Sequence, residues 1–169
     1  MKTRIAAAIL ALGITSAARA EFFVGAGISN HSYDYYDVQN SNGTKLYGGY
    51  YTDKGVFVEA ALVDLGNADV DRSNYKLEIS GNTAFIGYRR VETSGMGFYG
   101  KVGVYSFDTK LNVAAGTESG SGLAWGFGLT YPLNRNFSIR GEIEQYVGVK
   151  DFAEDTSVTG GCLAIELRL

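Results

Sequence analysis

Apolar and polar positions alternate singly along most of this chain, and the clearest unit is residues 45–66, KLYGGYYTDKGVFVEAALVDLG. Successive side chains of an extended strand point to opposite faces. Leu46, Gly48 and Tyr50 therefore share one face, and Lys45, Tyr47, Gly49 and Tyr51 the other. Thr52-Asp53-Lys54-Gly55 supplies a polar turn ending in glycine. Beyond it Val56, Val58, Ala60 and Leu62 alternate with Phe57, Glu59, Ala61 and Val63. The pattern predicts a hairpin carrying a mid-strand carboxylate, Glu59, on the face opposite the apolar one.

Eight segments of this kind can be drawn. The first, from Phe22, sets Phe22, Val24, Ala26 and Ile28 against Phe23, Gly25, Gly27 and Ser29. The hairpin supplies the second and third. The fourth runs from about Tyr75 to Arg89, and its apolar set changes parity from Tyr75, Leu77, Ile79 to Ala84, Ile86, Tyr88, which predicts a β-bulge near Ser80-Gly81-Asn82. The fifth sets Phe98, Val102 and Val104 against Tyr99, Lys101, Gly103 and Tyr105; the sixth sets Leu123, Trp125, Phe127, Leu129 and Tyr131 against glycine, Ala124 and Thr130. In the seventh, Phe137, Ile139, Ile143 and Val147 oppose Ser138, Arg140, Glu142, Glu144 and Tyr146. The eighth sets Leu163, Ile165, Leu167 and Leu169 against Cys162, Ala164, Glu166 and Arg168.

Connections predicted short (Thr52 to Gly55, Arg90 to Met96, Pro132 to Asn136) alternate with longer polar ones around His31 to Asn42, Gly66 to Asn74, Asp108 to Gly120 and Gly148 to Thr159. Short turns at one end and long loops at the other, with an even strand count, predict an all-β fold: an eight-stranded up-and-down antiparallel transmembrane β-barrel with short periplasmic turns and long external loops.

A soluble lipid-carrying barrel shares the period of two, so the faces must decide. At the short-turn end the apolar face carries Phe22, Tyr50, Tyr88, Phe98, Tyr131 and Phe137, an aromatic girdle of the kind that marks a membrane interface. The opposite face carries Lys45, Lys76, Lys101, Arg140 and Arg168 with Glu59, Glu78, Glu142, Glu144 and Glu166. An eight-stranded barrel is only wide enough inside for side chains to fill it, and unpaired buried charges are costly. Equal numbers of each sign therefore predict a plugged, charge-paired lumen.

Composition narrows the class further. Lys2 and Arg4, the apolar run Ile5 to Ile14 and the small-residue site Ala18-Arg19-Ala20 have the form of a secretory signal peptide over residues 1–20, leaving 21–169 as one domain. Removing Lys2, Arg4 and Arg19 from 15 basic residues leaves 12 against 18 acidic ones, a formal charge of −6 that argues against a nucleic-acid partner. The single cysteine, Cys162, excludes an internal disulfide and reads as a small structural residue.

The segments FFVGAG, KLYGGY, FVEAALVDLG, FYGKVGVYSFD, WGFGLTYPL and IRGEIEQY, in this order and at fitting spacing, resemble the OmpA-like eight-stranded outer-membrane barrel family across the region after residue 20. The resemblance implies an integral outer-membrane protein of a Gram-negative bacterium, in contact with outer-membrane lipid and lipopolysaccharide, inserted by the barrel assembly machinery and needing no cofactor or metal. It also implies an interior salt-bridge layer that gates the lumen, with Glu59, Lys101 and Glu142 at the matching places and Glu166 among the interior charges. Where the family's larger member adds a lysine, this chain has Phe85, and Arg140 is the expected substitute. The chain ends in Leu169 where the family usually has an aromatic, and the peptidoglycan-binding domain of longer relatives has no counterpart, as in small stand-alone barrels.

Two further features invite chemistry. His31 stands beside Ser32 near Asp34, residue types used by rim-located lipid A-modifying barrels; catalysis would need a nucleophile within hydrogen-bond reach of the imidazole. Neighbours in an extended loop diverge, so His31 is expected in a solvated loop and no enzyme is expected. Tyr33, Tyr35 and Tyr36 would form either a surface contact patch or an upper aromatic girdle. Acidic loop residues such as Asp64, Asp108 and Glu118 would be solvated or share divalent cations with lipopolysaccharide. The expected role is envelope structure or surface interaction through the external loops, with a narrow gated ion channel as the alternative.

Overall fold

A computed structural model describes residues 21–34, 39–69, 76–111, 117–150 and 155–169. Residues 1–20, where a signal peptide is expected, and Tyr35 and Tyr36 lie outside the described residues. Eight antiparallel strands, β1 (Glu21–Tyr33), β2 (Ser41–Tyr51), β3 (Val56–Asp69), β4 (Lys76–Val91), β5 (Gly97–Leu111), β6 (Thr117–Pro132), β7 (Phe137–Lys150) and β8 (Asp155–Arg168), pair each with the next. The sheet closes as β1 pairs with β8, from Phe23 opposite Arg168 to Tyr33 opposite Val158. Closure leaves no sheet edge, the condition a sheet must meet to cross hydrocarbon.

The faces divide as alternation predicts. On β6, Leu123, Trp125, Phe127 and Leu129 are 69%, 44%, 52% and 39% exposed, whereas on the opposing face of β7 Arg140, Glu142 and Glu144 are 0%, 5% and 4% exposed. The oily side chains point out and the charges point in, the arrangement of a membrane barrel and the inverse of a soluble one. All six aromatics named for the girdle, Phe22, Tyr50, Tyr88, Phe98, Tyr131 and Phe137, lie on the outward face near the short-turn end, where Phe22 and Tyr50 meet at 6.3 Å between ring centroids.

This division reverses toward the other end. Outward positions turn polar at Asn30, Thr44, Asp64, Asn82, Ser106, Ser121 and Gln145, and the registers hold several of these on one rung, Asn82 opposite Ser106 and Ser106 opposite Ser121. Inward positions of the same stretch turn apolar: Val63 and Leu65 on β3, Ile79 on β4, Phe107 on β5, Val149 on β7 and Val158 on β8 are all buried. The outer part of the barrel is thus a collar with a hydrophobic core and a polar exterior, standing beyond the band of outward apolar residues.

The collar corrects two expectations. The parity change in the fourth segment is not a bulge at Ser80-Gly81-Asn82; β4 runs in unbroken register against β5 from Leu77 to Val91, and Ile79 faces in because the lumen there is apolar. The bulge sits across the ladder, on β3, where Leu65 is extra between Asp64 opposite Ser80 and Gly66 opposite Ile79. Asp64 Oδ1 accepts the Gly66 N–H at 2.8 Å, and Gly66 has φ +81°, the left-handed backbone that glycine adopts freely. A second bulge on β7, between Tyr146 and Val149, uses Gly148 at φ +70°. Finally, the segments expected as long loops are largely strand, leaving connections 34–40, 70–75, 112–116 and 151–154 against 52–55, 92–96 and 133–136 at the other end. Polar outward positions made those strand ends look like loops.

A Cβ at Gly66 would meet the Asn42 carbonyl oxygen, whereas one at Gly100, on the lipid face, meets nothing within 4 Å. Gly66→Ala is therefore predicted to cost about 1–3 kcal/mol, and Gly100→Ala to stay within about 0.5 kcal/mol of the parent. Urea unfolding in lipid vesicles, followed by the fluorescence of the sole tryptophan, Trp125, measures both. Equal losses would remove the bulge as a structural device.

Candidate functional site: a shared charge lattice in the lumen

Midway through the barrel, inward positions of β2, β3, β5, β7 and β8 bring Lys45, Glu59, Lys101, Arg140, Glu142, Glu144 and Glu166 into one buried cluster. Each is on the inward parity of its strand, and the registers Gly49 opposite Glu59 and Gly128 opposite Glu142 set glycines beside the carboxylate-bearing positions. Their missing side chains make room for the aromatics that flank the charges, the Phe23 ring beside Gly49 and the Tyr99 hydroxyl beside Gly128.

Two ammonium groups divide three carboxylates between them. Lys45 Nζ lies 3.1, 2.6 and 2.6 Å from Glu59, Glu142 and Glu144. Lys101 Nζ lies 2.9, 2.7 and 2.6 Å from the same three. Lys45 donates hydrogen bonds to Glu142 and Glu144 and Lys101 to Glu59 and Glu142, and each ammonium pairs in charge with the third carboxylate. The three carboxylates stand close enough to enclose a cation, but the two ammonium groups already occupy the ground between them.

Arg140 ties this lattice to a second level. Its Nη2 donates to Glu59 Oε2 at 2.5 Å and Glu142 Oε2 at 2.9 Å, and its Nη1 lies 3.4 Å from Glu166 Oε2. Its Nε donates to the Tyr99 hydroxyl at 2.7 Å, and that hydroxyl donates to Glu142 at 2.8 Å. The guanidinium lies between Tyr47 and Tyr99, 4.5 and 4.6 Å from their ring centroids, a cation–π contact on each side. Glu166 also accepts from the Tyr51 hydroxyl at 3.1 Å and lies 3.5 Å from Arg168, so the carboxylate in excess over the three central cations has a partner at the barrel's short-turn end.

The structure thus brings together all five residues named for the layer, Glu59, Lys101, Arg140, Glu142 and Glu166. It adds Lys45 and Glu144, which alternation had placed inward without placing them in the layer, and Tyr99. Nothing in single-strand alternation marks Tyr99 as a hydrogen-bond relay; its place two residues from Lys101 on the same face was the available signal. Phe85 faces the lumen as a floor for the cations, its centroid 4.5 Å from Lys101 Nζ and 5.8 Å from Lys45 Nζ. Of the other predicted interior charges, Glu78 is exposed on the outer face of the collar, Arg168 is part-buried, and the side chain of Lys76 lies outside the described residues.

His31 is not in a solvated loop. It belongs to β1, faces the lumen and is 2% exposed, with Ser32 on the opposite, outward face. A strand's alternation thereby separates the two groups an enzyme would need side by side. Tyr33 is likewise buried, its hydroxyl 3.0 Å from Ser41 Oγ, so it serves neither a surface patch nor an upper girdle. Both were misplaced because β1 continues into the collar. Cys162 faces the lumen, buried, opposite Glu142 in the ladder.

The family model for the outer membrane protein beta-barrel domain matches residues 5–161. Among solved structures, the chain is similar to Ail, the attachment invasion locus protein of Yersinia pestis, in complex with the heparin analogue sucrose octasulfate: 18% identity, TM-score 0.59, covering 89% of this chain and 97% of that one. It is similar to Neisserial surface protein A at 10% identity and TM-score 0.66, covering 89% and 97%. Outer membrane protein OprG from Pseudomonas aeruginosa matches at 14% identity and TM-score 0.63, covering 89% and 96%. No curated protein matches the sequence.

Breaking a buried ion pair by removing one partner typically costs about 3–5 kcal/mol, because a charge is left without compensation. Arg140→Gln is predicted to destabilise the barrel by that amount, and the double variant with Glu59→Gln to lose less than the sum of the two singles. Strict additivity in a double-mutant cycle of vesicle unfolding free energies would show that the lattice does not act as a unit.

Proposed function

The chain belongs to the outer membrane protein β-barrel domain family, and on that footing we propose that it works as a closed barrel of the cell outer membrane, whose activity lies in its collar and external loops and not in a lumen pathway. The observation that carries this reading is the stacking of two different seals inside one tube. Mid-barrel, three cations and four carboxylates cross-link five strands. In the collar, Leu65, Ile79, Phe107, Tyr146, Val149 and Val158, each 0% or 1% exposed, fill the lumen with an apolar core. An ion crossing would have to displace a shared ion-pair lattice and then enter an oily layer where its hydration has no replacement.

The same collar gives the loops a rigid base. Its outward face carries Asp64, Glu78 and Asp108 with Lys110, an acidic balance among the described residues. A polysulfate of the kind bound to Ail would meet like charge there, so the fitting partners are neutral or cationic surfaces, or lipopolysaccharide reached through divalent cations. The aromatic girdle and apolar band supply the lipid contact, and insertion by the barrel assembly machinery follows from the family reading. Against an enzyme stands the separation of His31 from Ser32 across the wall.

Planar-bilayer recording tests the proposal. The expected result is no persistent single-channel conductance from the parent protein. Long-lived steps whose size changes in Glu59→Ala or Lys101→Ala would move the function to gated ion passage through the lattice.

A further inference from the structure

At the short-turn end the lumen holds a positive charge with too few partners. Arg89, on the inward face of β4, is 8% exposed, and its guanidinium lies 3.6 Å from the Tyr51 ring centroid. Its Nε and Nη1 are buried and have no hydrogen-bond partner among the described residues. Among the described residues the one carboxylate within ion-pair distance of it is Glu21, whose Oε2 is 3.7 Å from Arg89 Nη2 and whose Oε1 is 4.0 Å from Arg168 Nε. Both separations are at the long limit of an ion pair, and the Glu21 side chain is 42% exposed.

The wall beside Arg89 carries polar groups without partners among the described residues. Thr130, 0% exposed, has an unpartnered Oγ1, and Gly97 borders both groups: a Cβ there would lie 2.6 Å from that oxygen and 3.1 Å from Arg89 Cδ. Ser138, on the adjacent strand and 1% exposed, offers a second unpartnered hydroxyl. Glu166 is already shared by Arg140, the Tyr51 hydroxyl and Arg168, so Arg89 has within ion-pair distance, among the described residues, only the exposed Glu21 carboxylate, which it shares with Arg168.

A guanidinium held out of water with two nitrogens unpaired is expensive unless an anion reaches it. Arginine's planar donor set suits a tetrahedral oxyanion, and the Glu21 carboxylate already straddles the two arginines as such a group would. We propose that the short-turn mouth of the barrel is a phosphate site, in which Arg89 and Arg168 hold the group with the Thr130 hydroxyl beside it, and that Glu21 is the tethered carboxylate a ligand displaces. The shared chemistry is the phosphate oxyanion. It can come from solution or from a lipid headgroup, because the outward aromatics Phe22 and Tyr88 place this mouth at the level of the membrane interface.

The experiment follows the arginine Nε–Hε resonances of the folded barrel, labelled on arginine and held in maltoside micelles that contain no phosphate. Sodium phosphate is titrated against sodium chloride at equal ionic strength. The expected result is a saturating shift of the Arg89 resonance with phosphate and none with chloride. Glu21→Gln, an exposed change that leaves the barrel intact, should tighten the half-point by several-fold, and Arg89→Lys should weaken phosphate, read on Arg168, by about tenfold or more, the weight of one hydrogen bond to a charged group. Boiling-dependent gel mobility checks that each variant is folded. In phosphatidylglycerol nanodiscs, an Arg89 resonance already at its phosphate-saturated position identifies the headgroup as the ligand, while continued titration identifies the free ion. Identical responses to chloride and phosphate, or a half-point that Glu21→Gln leaves unchanged, would overturn the site.

Discussion

Hydrocarbon cannot hydrogen-bond a peptide group, and this one constraint sets the rest of the structure. It forces the sheet to close; closing at eight strands fixes a lumen about as wide as its own side chains; and a lumen that narrow must be filled by whatever the inward positions carry. Because the outward face is committed to lipid, the polar residues of every strand have nowhere to go but in. Charges gathered there are stable only if each meets its opposite. The lattice around Arg140 is therefore a consequence of closure as much as an added feature, and its glycines, Gly49 and Gly128 opposite Glu59 and Glu142, are the steric allowance for the Phe23 and Tyr99 rings that flank the charges.

The same strands continue past the apolar band, and there the logic turns over. Once the outer surface meets water, a filled lumen is stabilised by apolar packing, and the inward positions become Leu65, Ile79, Phe107 and Val158. One chain thus builds a membrane barrel and a soluble-type barrel end to end on a single set of hydrogen-bond ladders. The two bulges, with Gly66 and Gly148 in left-handed conformation, lie on the collar stretches of β3 and β7. Each shifts the parity of its own strand, so that Ala68 and Val149 turn in after Leu65 and Tyr146.

This inversion also explains what the sequence could and could not disclose. The strand count, the membrane face and the inward direction of the five named lattice residues follow from a period of two read with one rule, apolar out and polar in, whereas their gathering into one layer is what the family resemblance implies. The rule fails where the environment changes sign. His31, Tyr33 and Ile79 all obey alternation, but in the collar the inward side is the apolar one, so a reader holding the membrane rule takes the first two for loop residues and the third for a sign of a bulge. Lys45 and Glu144 were legible as inward charges, yet their membership of the lattice depends on how far the strands shear past each other around the barrel, which alternation within one strand does not encode. Arg89 was missed for a related reason: it ends a segment beside the outward Tyr88 and Arg90, where a strand end and a turn look alike.

Arginine at 140, with Phe85 facing the two lysines, gives the lattice a different character from one built on lysines alone. A lysine ammonium is a compact, rotatable point charge, whereas a guanidinium has a fixed planar set of donors. Lys45 and Lys101 share the same three acceptors and could exchange them at little cost in geometry. Arg140 cannot slide in that way, because Tyr47 and Tyr99 cover its faces while Glu59, Glu142, Glu166 and the Tyr99 hydroxyl hold its edges. Phe85 removes the position from which a further lysine could compete for these carboxylates, and covers the ammonium groups with an aromatic face instead. The exchangeable part of the lattice is thereby pinned to a fixed part, and the fixed part is joined through Glu166 to Arg168 at the short-turn mouth. Hydrogen bonding is satisfied around Arg140 and incomplete at Arg89, whose buried Nε and Nη1 have no partner among the described residues, so the mouth is where an anion from outside would find a vacant donor.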